Sequence, residues 1–250
     1  MKTAIEVRDL TMGYGTRIIQ PDLTFTIPKG QIVCILGGSG CGKSTLLKHL
    51  IGLKRPLSGD VELLGRSIVK AQGAEKREIM RCFGVAYQSG ALFRSMSVYE
   101  NIALPLQEYT DKTESEIRQI VSDKLNMVSL GGFESYMPGD LSGGMIKRVA
   151  FARAMALDPE ILFFDEPSAG LDPISSAELD RVMLSIRERT GATIMVVTHE
   201  LSSIFTIADR AIMLGAKAGG IIADGTPREL SQSENEFVRN FMNRHVSERS

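Results

Sequence analysis

The sequence predicts an α/β fold with a mostly parallel core sheet, an antiparallel β region near the N-terminus and an inserted helical region. Residues 31–36 form a short apolar run that ends in glycines, as expected for a strand buried on both faces. Two similar runs, residues 161–164 and 193–197, are separated by a segment with helical spacing of its apolar residues. Because strands and helices alternate, we expect a parallel sheet covered on both faces, with ligands bound beyond the carboxyl ends of its strands.

The N-terminal residues are predicted to form strands with one solvent-exposed face, because their apolar residues alternate with polar neighbours. These apolar residues are Ile5, Val7, Leu23, Phe25 and Ile27. After the first buried strand we expect a helix, whose apolar side carries Leu46, Leu47, Leu50 and Ile51. Val61 and Leu63 then predict a further strand at a sheet edge.

Residues 91–159 have the pattern of helices rather than of strands. Thr113 and Glu116 predict a capping box at the start of one helix, and a second helix is expected to begin near Ser142. Near the C-terminus an i, i+4 pattern predicts a short amphipathic helix, which we expect to pack on its own domain, with packing on a partner copy as the alternative. The apolar residues of that last helix are Phe237, Val238, Phe241 and Met242.

Composition narrows the classes of protein to which the chain can belong. It has 250 residues, with 29 basic and 30 acidic side chains, so its net charge of −1 gives no reason to expect non-specific binding to nucleic acid. No apolar run approaches the roughly 18 residues that span a bilayer, and we see no signal peptide. Three cysteines at unrelated spacings fit neither a disulfide framework nor a zinc site. We therefore expect a cytosolic chain that reaches a membrane only through a partner.

The strongest local signal is a glycine-rich segment that follows the 31–36 strand, opens a helix and matches the Walker A pattern in full. Its glycines let backbone N–H groups and the helix N-terminus face phosphates, Lys43 is expected to reach the β- and γ-phosphates, and Ser44 to bind Mg²⁺. The alternative is a glycine-rich turn without a ligand. The predicted nucleotide-binding residues of this segment are Gly37, Gly38, Ser39, Gly40, Cys41, Gly42, Lys43, Ser44 and Thr45.

Cys41 stands at the N-terminus of the predicted helix, where thiolates are favoured. It is either a thiol that alkylating reagents modify unless nucleotide is bound, or a small residue that the loop tolerates.

An acidic pair, Asp165 and Glu166, follows the buried 161–164 strand and precedes a proline. Alone, such a pair is more typical of a turn. Together with a Walker A segment, however, it favours a site in which Asp165 holds Mg²⁺ and Glu166 polarises the attacking water.

Ser142 is a predicted helix N-cap followed by Gly143 and Gly144, which present bare backbone N–H groups suited to a phosphate. Leu-Ser-Gly-Gly between the Walker A segment and the acidic pair resembles the signature of ABC-transporter ATP-binding subunits, and the resemblance covers nearly the whole chain. It implies a P-loop NTPase fold with an ABC helical subdomain.

The same resemblance assigns roles to four further residues. It implies that Tyr14 stacks on adenine, that Gln88 binds Mg²⁺ and water, that Asp172 belongs to the D-loop, and that His199 contacts the γ-phosphate. For Tyr14 the alternative is a tyrosine in a tight turn.

The ABC resemblance also implies a domain organisation. Residues 1–88 and 160–225 would form the nucleotide-binding core with its β subdomain, residues 89–159 the helical subdomain, and residues 226–250 a C-terminal helix and tail.

A narrower resemblance is to the ATPase subunit of Mla/Mce-type lipid transporters. It rests on the stretches 88–93 and 141–148, in which Met145 replaces the glutamine of most ABC signatures. The alternative for Met145 is a flexible apolar side chain on a helix surface. Leu92, Phe93, Met96, Val98 and Tyr99 form an apolar cluster near Gln88 that we expect to be exposed and to face membrane partners, with helical core packing as the alternative.

The resemblance implies a homodimer, in which Ser142 and Gly144 of one copy close over ATP held by the other. It further implies a permease partner, an Mce-domain lipid-binding protein, a small STAS-domain subunit, no nucleic acid, and a position on the cytoplasmic face of the inner membrane. Two alternatives stay open: an ABC importer ATPase for amino acids, sugars or metals, and a soluble ABC ATPase that acts on DNA or ribosomes.

Overall fold

The computed structural model describes residues 2–216 and 219–244. The strands are β1 (Thr3–Tyr14), β2 (Arg17–Pro28), β3 (Ile32–Gly37), β4 (Ser58–Leu63), β5 (Arg66–Ser67), β6 (Phe83–Ala86), β7 (Ile161–Asp165), β8 (Thr193–Val197), β9 (Arg210–Leu214) and β10 (Ile221–Gly225). The α-helices are α1 (Lys43–Leu50), α2 (Gly73–Arg81), α3 (Val98–Tyr109), α4 (Glu114–Met127), α5 (Gly143–Ala154), α6 (Pro173–Thr190), α7 (Leu201–Ile207), α8 (Pro227–Ser231) and α9 (Glu236–Asn243).

The chain forms two compact units, of which the first consists of Met1–Ala71 and Met195–Ser250. It contains an antiparallel sheet with the strand order β2-β1-β4-β5, in which Val7 pairs with Phe25 on one side and with Val61 on the other. These three side chains are buried, as the alternating pattern predicts. The predicted strand at residues 61–63 exists, but its placement at the edge is wrong, because the two-residue strand β5 pairs with it on its far side.

The first unit also contains parallel strands. β3 pairs in parallel with β9, β9 pairs antiparallel with β10, and β8 lies on the other side of β3. All six residues of β3 are buried, which confirms the prediction of a strand covered on both faces. α9 packs on its own domain through the buried side chains of Val238 and Met242, as predicted. The predicted polar end at residues 245–250 lies outside the described residues.

The second unit, Gln72–Ile194, combines the parallel pair β6 and β7 with most of the helices. Thr113 caps α4 in a capping box with Glu116, and Ser142 caps α5, where its hydroxyl oxygen accepts a hydrogen bond from the Met145 N–H at 3.3 Å. Both predicted helix starts are therefore confirmed. A stacked pair of rings, Phe151 of α5 and Phe164 of β7 with centroids 4.0 Å apart, packs the helix that starts at Ser142 against this strand pair.

Candidate nucleotide-binding site

The Walker A segment forms the turn between β3 and α1. Gly37 and Gly42 have φ angles of 141° and 106°, which side-chain-bearing residues rarely adopt. A Cβ atom on Gly37 would lie 2.6 Å from the sulfur of Cys41, and one on Gly42 would lie 2.7 Å from Cγ2 of Ile19. Space and backbone conformation thus both require glycine at these two positions.

Lys43 is the first residue of α1, and no side chain caps the helix N-terminus in front of it. Its ammonium group donates hydrogen bonds to the carbonyl oxygens of Gly37, at 2.8 Å, and Gly38, at 3.2 Å. Ser39, Gly40 and Ser44 are exposed on the same turn. An uncapped helix N-terminus with a lysine folded over it is an arrangement suited to an anion such as a phosphate.

A buried glutamine, Gln20, holds this loop through hydrogen bonds to its backbone. The sequence analysis did not predict this role. Gln20 of β2 donates through its amide nitrogen to the carbonyl oxygens of Cys41, at 2.8 Å, and Gly215, at 2.6 Å. Its side-chain oxygen accepts from the Gly220 N–H at 2.8 Å. Gln20 is fully buried, so these bonds hold the loop to two distant segments of the first unit.

Cys41 belongs to this supported loop, and its side chain is buried with 2% of its surface exposed. A reagent therefore has no open path to its sulfur in the folded chain. This burial contradicts the reactive-thiol hypothesis and leaves Cys41 as a small residue that fills the loop.

Tyr14 lies at the end of β1, beside α1, with about half of its side chain exposed. A hydrogen bond with Thr45 and the nearby Lys54 ammonium together lower the pKa of its hydroxyl group. The Lys54 nitrogen stands 2.7 Å from the centre of the Tyr14 ring, on one face of it. The structure thus brings Tyr14 next to the Walker A segment.

His199 follows β8 and is exposed. The N–H of its neighbour Thr198 donates to the carbonyl oxygen of Ile35 in β3, at 3.4 Å. Since Ile35 is two residues before Gly37, the backbone at His199 runs beside the strand that leads into the Walker A segment.

In the second unit, β7 ends at Asp165, and Glu166 follows with a φ angle of 46°. This left-handed conformation is uncommon for a residue with a side chain, and such backbone strain is found preferentially at functional sites. Both carboxylates are half-buried. Burial is the main cause that raises the pKa of the Tyr87 hydroxyl group, and the negative charge of Asp165 raises it further.

Gln88 is exposed just after β6, and two cations of α5 hold the backbone around it. The Lys147 ammonium donates a hydrogen bond to the carbonyl oxygen of Gln88. The Arg153 guanidinium donates to the carbonyl oxygens of Gly90 and Ala91, and both of its bonds are 2.8 Å long. Burial lowers the pKa of Lys147, and the carboxylates of Asp165 and Glu166 act against that decrease. Lys147 is a second residue that sequence reasoning missed.

The signature residues Ser142, Gly143 and Gly144 form the first turn of α5, with Ser142 and Gly143 exposed. They lie beside the segment that contains Asp172, since a Cβ atom on Gly143 would be 3.6 Å from Cδ2 of Leu171. Asp172 itself caps α6, accepting hydrogen bonds from the N–H groups of Ile174 and Ser175 at 3.0 Å. A hydrogen bond from the Ser175 hydroxyl group, together with these backbone bonds, lowers the pKa of Asp172.

An apolar cavity of about 500 Å³ opens between β6, α3 and α5 in the second unit. Of the apolar cluster predicted near Gln88, Phe93 is half exposed and lines this cavity, whereas Val98 is fully buried, so the prediction of exposure is wrong for Val98. Val98 begins α3 and packs in the helical core. The other main lining residues are Met80, Phe83, Leu104, Pro105 and Tyr109.

The side chains predicted to hold a metal ion all offer oxygen atoms. Ser44 of the first unit has a hydroxyl oxygen, and Asp165 and Gln88 of the second unit have a carboxylate and an amide oxygen. This is the donor chemistry that Mg²⁺ prefers when phosphates and water complete its shell. Across residues 2–216 and 219–244, His, Cys, Asp and Glu side chains do not gather in threes as a transition-metal site would require. These residues therefore fit magnesium.

None of the helices in the described ranges is both long enough and apolar enough to cross a bilayer.

Comparison with known proteins identifies a family and individual proteins to which the chain is similar. The sequence model of the ABC transporter family matches residues 21–169. The chain is 40% identical over 238 residues to the intermembrane phospholipid transport system ATP-binding protein MlaF of Haemophilus influenzae, covering 95% of this chain and 89% of that protein. It is 45% identical over 243 residues to the "probable ribonucleotide transport ATP-binding protein mkl" of Mycobacterium tuberculosis, covering 97% and 67%.

Solved structures with similar folds are also ATP-binding cassettes. One is cbiO1 from Clostridium perfringens, part of the transporter complex cbiONQ, with a TM-score of 0.84 and 28% identity over 98% of this chain and 96% of that one. Another is a dimeric cassette bound to ADP and Pi, with a TM-score of 0.79 and 29% identity over 89% and 98%. Together with its fold and its Walker A turn, these matches show that the chain belongs to the ABC transporter family as an ATP-binding subunit that hydrolyses ATP.

Proposed function

We propose that this ABC ATPase drives a membrane transporter that moves phospholipid between the inner and outer membranes. The observation that carries the proposal is the 40% identity, over 95% of the chain, to a protein named for intermembrane phospholipid transport. The signature Ser142-Gly143-Gly144-Met145, with methionine in place of the usual glutamine, supports the same assignment.

In this proposal the residues of the first unit bind the nucleotide. The N–H groups of the 37–45 turn surround the phosphates, Lys43 neutralises the β- and γ-phosphate oxygens, and Tyr14 stacks on adenine with the ring face that Lys54 leaves open. His199 contacts the γ-phosphate. The exposed positions of Ser39, Gly40 and His199 are compatible with contact to a ligand.

The residues of the second unit carry the water chemistry. Glu166 accepts a proton from the attacking water. Asp165 and Gln88 of this unit, together with Ser44 of the first unit, would hold Mg²⁺, which supplies positive charge to the phosphate oxygens when bound. Residues 1–88 and 160–225 form the nucleotide-binding core, residues 89–159 the helical subdomain, and residues 226–250 the C-terminal helix and tail.

Two copies of the chain share two ATP molecules in this proposal. The first turn of α5, in which Ser142 and Gly143 are exposed and Gly144 is half-buried, offers bare N–H groups to the γ-phosphate held by the other copy, and Asp172 lies beside that contact. The similarity to a dimeric cassette bound to ADP and Pi supports a homodimer.

The partner that transmits the motion is an integral permease, which we place at the apolar cavity beside α3. The occupant we propose is a short amphipathic helix whose apolar side chains pack against Phe93 and Leu104, at a cavity whose lining also includes Glu108 and Arg153. An Mce-domain lipid-binding protein and a small STAS-domain subunit complete the assembly. The chain would then lie on the cytoplasmic face of the inner membrane.

The second candidate is an ATPase of another ABC importer. The relative named for ribonucleotide transport and the similarity to cbiO1 favour this reading. It keeps every proposed role in the ATP site and changes only the cargo and the permease.

Copurification from the native cell tests cargo and partner together. The tagged chain is extracted from membranes in mild detergent, and the recovered proteins and lipids are identified by mass spectrometry. We expect an integral permease, an Mce-domain protein and phospholipid. A different permease with a solute-binding protein would replace the lipid assignment by the second candidate, and a chain recovered with ribosomes or DNA would overturn transport.

Two phenylalanine variants in the same copurification experiment test whether the permease docks at the cavity. Phe93→Ala removes a half-exposed ring from the cavity and is expected to reduce permease recovery by roughly tenfold or more, as for an interface anchor. Phe205→Ala removes a ring of similar exposure from α7 and should leave recovery unchanged. Equal recovery with both variants would contradict docking at the cavity.

A further inference from the structure

Lys147 is a buried lysine on the signature helix that no step of the proposed mechanism uses. Only 6% of its surface is exposed, although lysine is almost never this buried unless it is paired. Its ammonium group donates a hydrogen bond to the backbone carbonyl oxygen of Gln88. The cost of burying this charge is thus offset at the backbone of a proposed site residue.

The acidic pair lies near the same ammonium group. The charges of Asp165 and Glu166 act on Lys147 strongly enough to oppose the effect of burial on its pKa. Lys147 is thus hydrogen-bonded to the backbone at Gln88, and its positive charge attracts the carboxylates at the end of β7.

The loop that follows Gln88 is fastened to the same helix at two further points. Arg153 donates to the carbonyl oxygens of Gly90 and Ala91 at 2.8 Å, and a Cβ atom on Gly90 would lie 2.7 Å from Cγ2 of Ile146. Because hydrogen bonds and close packing both tie the loop to α5, a shift of α5 must displace the backbone at Gln88.

Lys147 also lies on a defined face of α5. Gly143 and Gly144 precede it by four and three residues, which places all three on one side of the helix within one turn. The exposed end of this face is the proposed contact with the ATP of the other copy, and its buried end is Lys147.

We infer that Lys147 is a positioning residue that holds Gln88 relative to Asp165 and Glu166 and couples this geometry to the nucleotide at the first turn of α5. The inference rests on the proposed function, in which the first turn of α5 contacts the partner copy's ATP. Lys147 contacts no nucleotide itself, so its loss should change turnover and cooperativity rather than ATP affinity.

The test compares Lys147→Met with a matched control, Lys124→Met. Lys124 is 7% exposed on α4 and forms an ion pair with Asp158, so the control removes an equally buried and paired charge away from the site. Steady-state ATPase activity gives kcat, KM and the Hill coefficient of the intact chain, a fluorescent ATP analogue gives affinity, and urea unfolding gives stability.

For Lys147→Met we expect kcat to fall roughly 10- to 100-fold, as for a misplaced catalytic group, with the intrinsic affinity of a single site for the analogue within about twofold of wild type. The Hill coefficient should fall from near its upper limit of about two for a two-site dimer toward about one. Lys147→Arg, which keeps the charge and the donors, should restore most of both values. Lys124→Met should lose stability while kcat stays within about twofold.

The outcomes separate the inference from the proposed function. A Lys147→Met variant with the kcat and Hill coefficient of the wild type would overturn the positioning role. An equal loss of kcat in Lys124→Met would overturn it too. If Lys147→Met does not fold, Lys147→Gln keeps a donor without the charge and should show the same loss of cooperativity. A wild-type chain whose ATPase shows no cooperativity would instead contradict the shared-site dimer.

Discussion

Glu166 combines a half-buried carboxylate with a left-handed backbone at the end of a buried strand. A glycine would adopt this conformation at little cost, whereas a glutamate adopts it under backbone strain. Such strain is found preferentially at functional sites, and a carboxylate there suits the role of a group that accepts a proton from water.

Replacing Glu166 by Gln keeps the size of the side chain and removes its basicity. We expect ATP hydrolysis to fall by roughly 10²- to 10⁴-fold, as for the loss of a general base, while ATP affinity is unchanged. Phosphate release and equilibrium binding measure the two quantities. Glu188→Gln, an exposed substitution on α6, is the control and should retain full turnover. Unchanged turnover in Glu166→Gln would remove this residue from the mechanism.

Residues whose partners are close in sequence were predictable, and residues whose partners are distant were not. Thr113 and Ser142 cap helices through N–H groups three residues ahead, so the pattern contains the whole interaction. Gln20 bonds to a carbonyl 195 residues away, and Lys147 to one 59 residues away. A buried polar residue of this kind has no local signature until the fold brings its partners together.

Elements show the same division between local and distant causes. β3 and α1 were predictable because a fully buried strand is a continuous apolar run and a helix repeats its apolar side. β10 was not predicted, since its residues are mostly half-buried and pair with β9 without clean alternation. The edge placement predicted for β4 was wrong because β5 has two residues, which is too short to show any periodicity.

Helix α1 contains a group whose ionisation is linked to folding. His49 is fully buried, and its Nδ1 donates to the carbonyl oxygen of Lys54 at 2.8 Å. Within the described residues its Nε2 has no hydrogen-bond partner. Burial is the main cause that lowers the pKa of His49 below its ordinary value of 6.5.

The chain should therefore become less stable as pH falls below about 6.5, because the unfolded state then binds a proton that the folded state does not. The loss attributable to His49 approaches about 1.4 kcal/mol per pH unit down to the folded-state pKa. His49→Asn keeps a donor for Lys54 and cannot titrate, so the difference in unfolding free energy between wild type and variant should shrink from pH 7.5 to pH 5.5. Urea unfolding at both values measures it, and parallel pH profiles would contradict a neutral buried His49.

At the scale of the whole molecule, the residues proposed for one reaction do not lie on one surface element. Lys43 opens α1 of the first unit, whereas Gly143, the exposed glycine at the start of α5, belongs to the second unit. In the proposed homodimer these two elements meet across copies, so each ATP requires the Lys43 of one chain and the Gly143 of the other. A shared site of this kind makes a prediction that no single-chain mechanism makes.

Two inactive variants should restore activity when they are mixed. Lys43→Ala removes the phosphate-binding ammonium. Gly143→Asp adds a carboxylate that repels the γ-phosphate, in a place where the helix N-terminus tolerates negative charge and the nearest neighbour would be 3.6 Å away. A mixed dimer has one site with both defects and one site with neither. Random assortment gives up to roughly a quarter of wild-type turnover if the two sites work independently, and less if they are coupled. If the refolded mixture neither turns over ATP faster nor dimerises more stably in ATP than the separate variants do, each chain completes its own site.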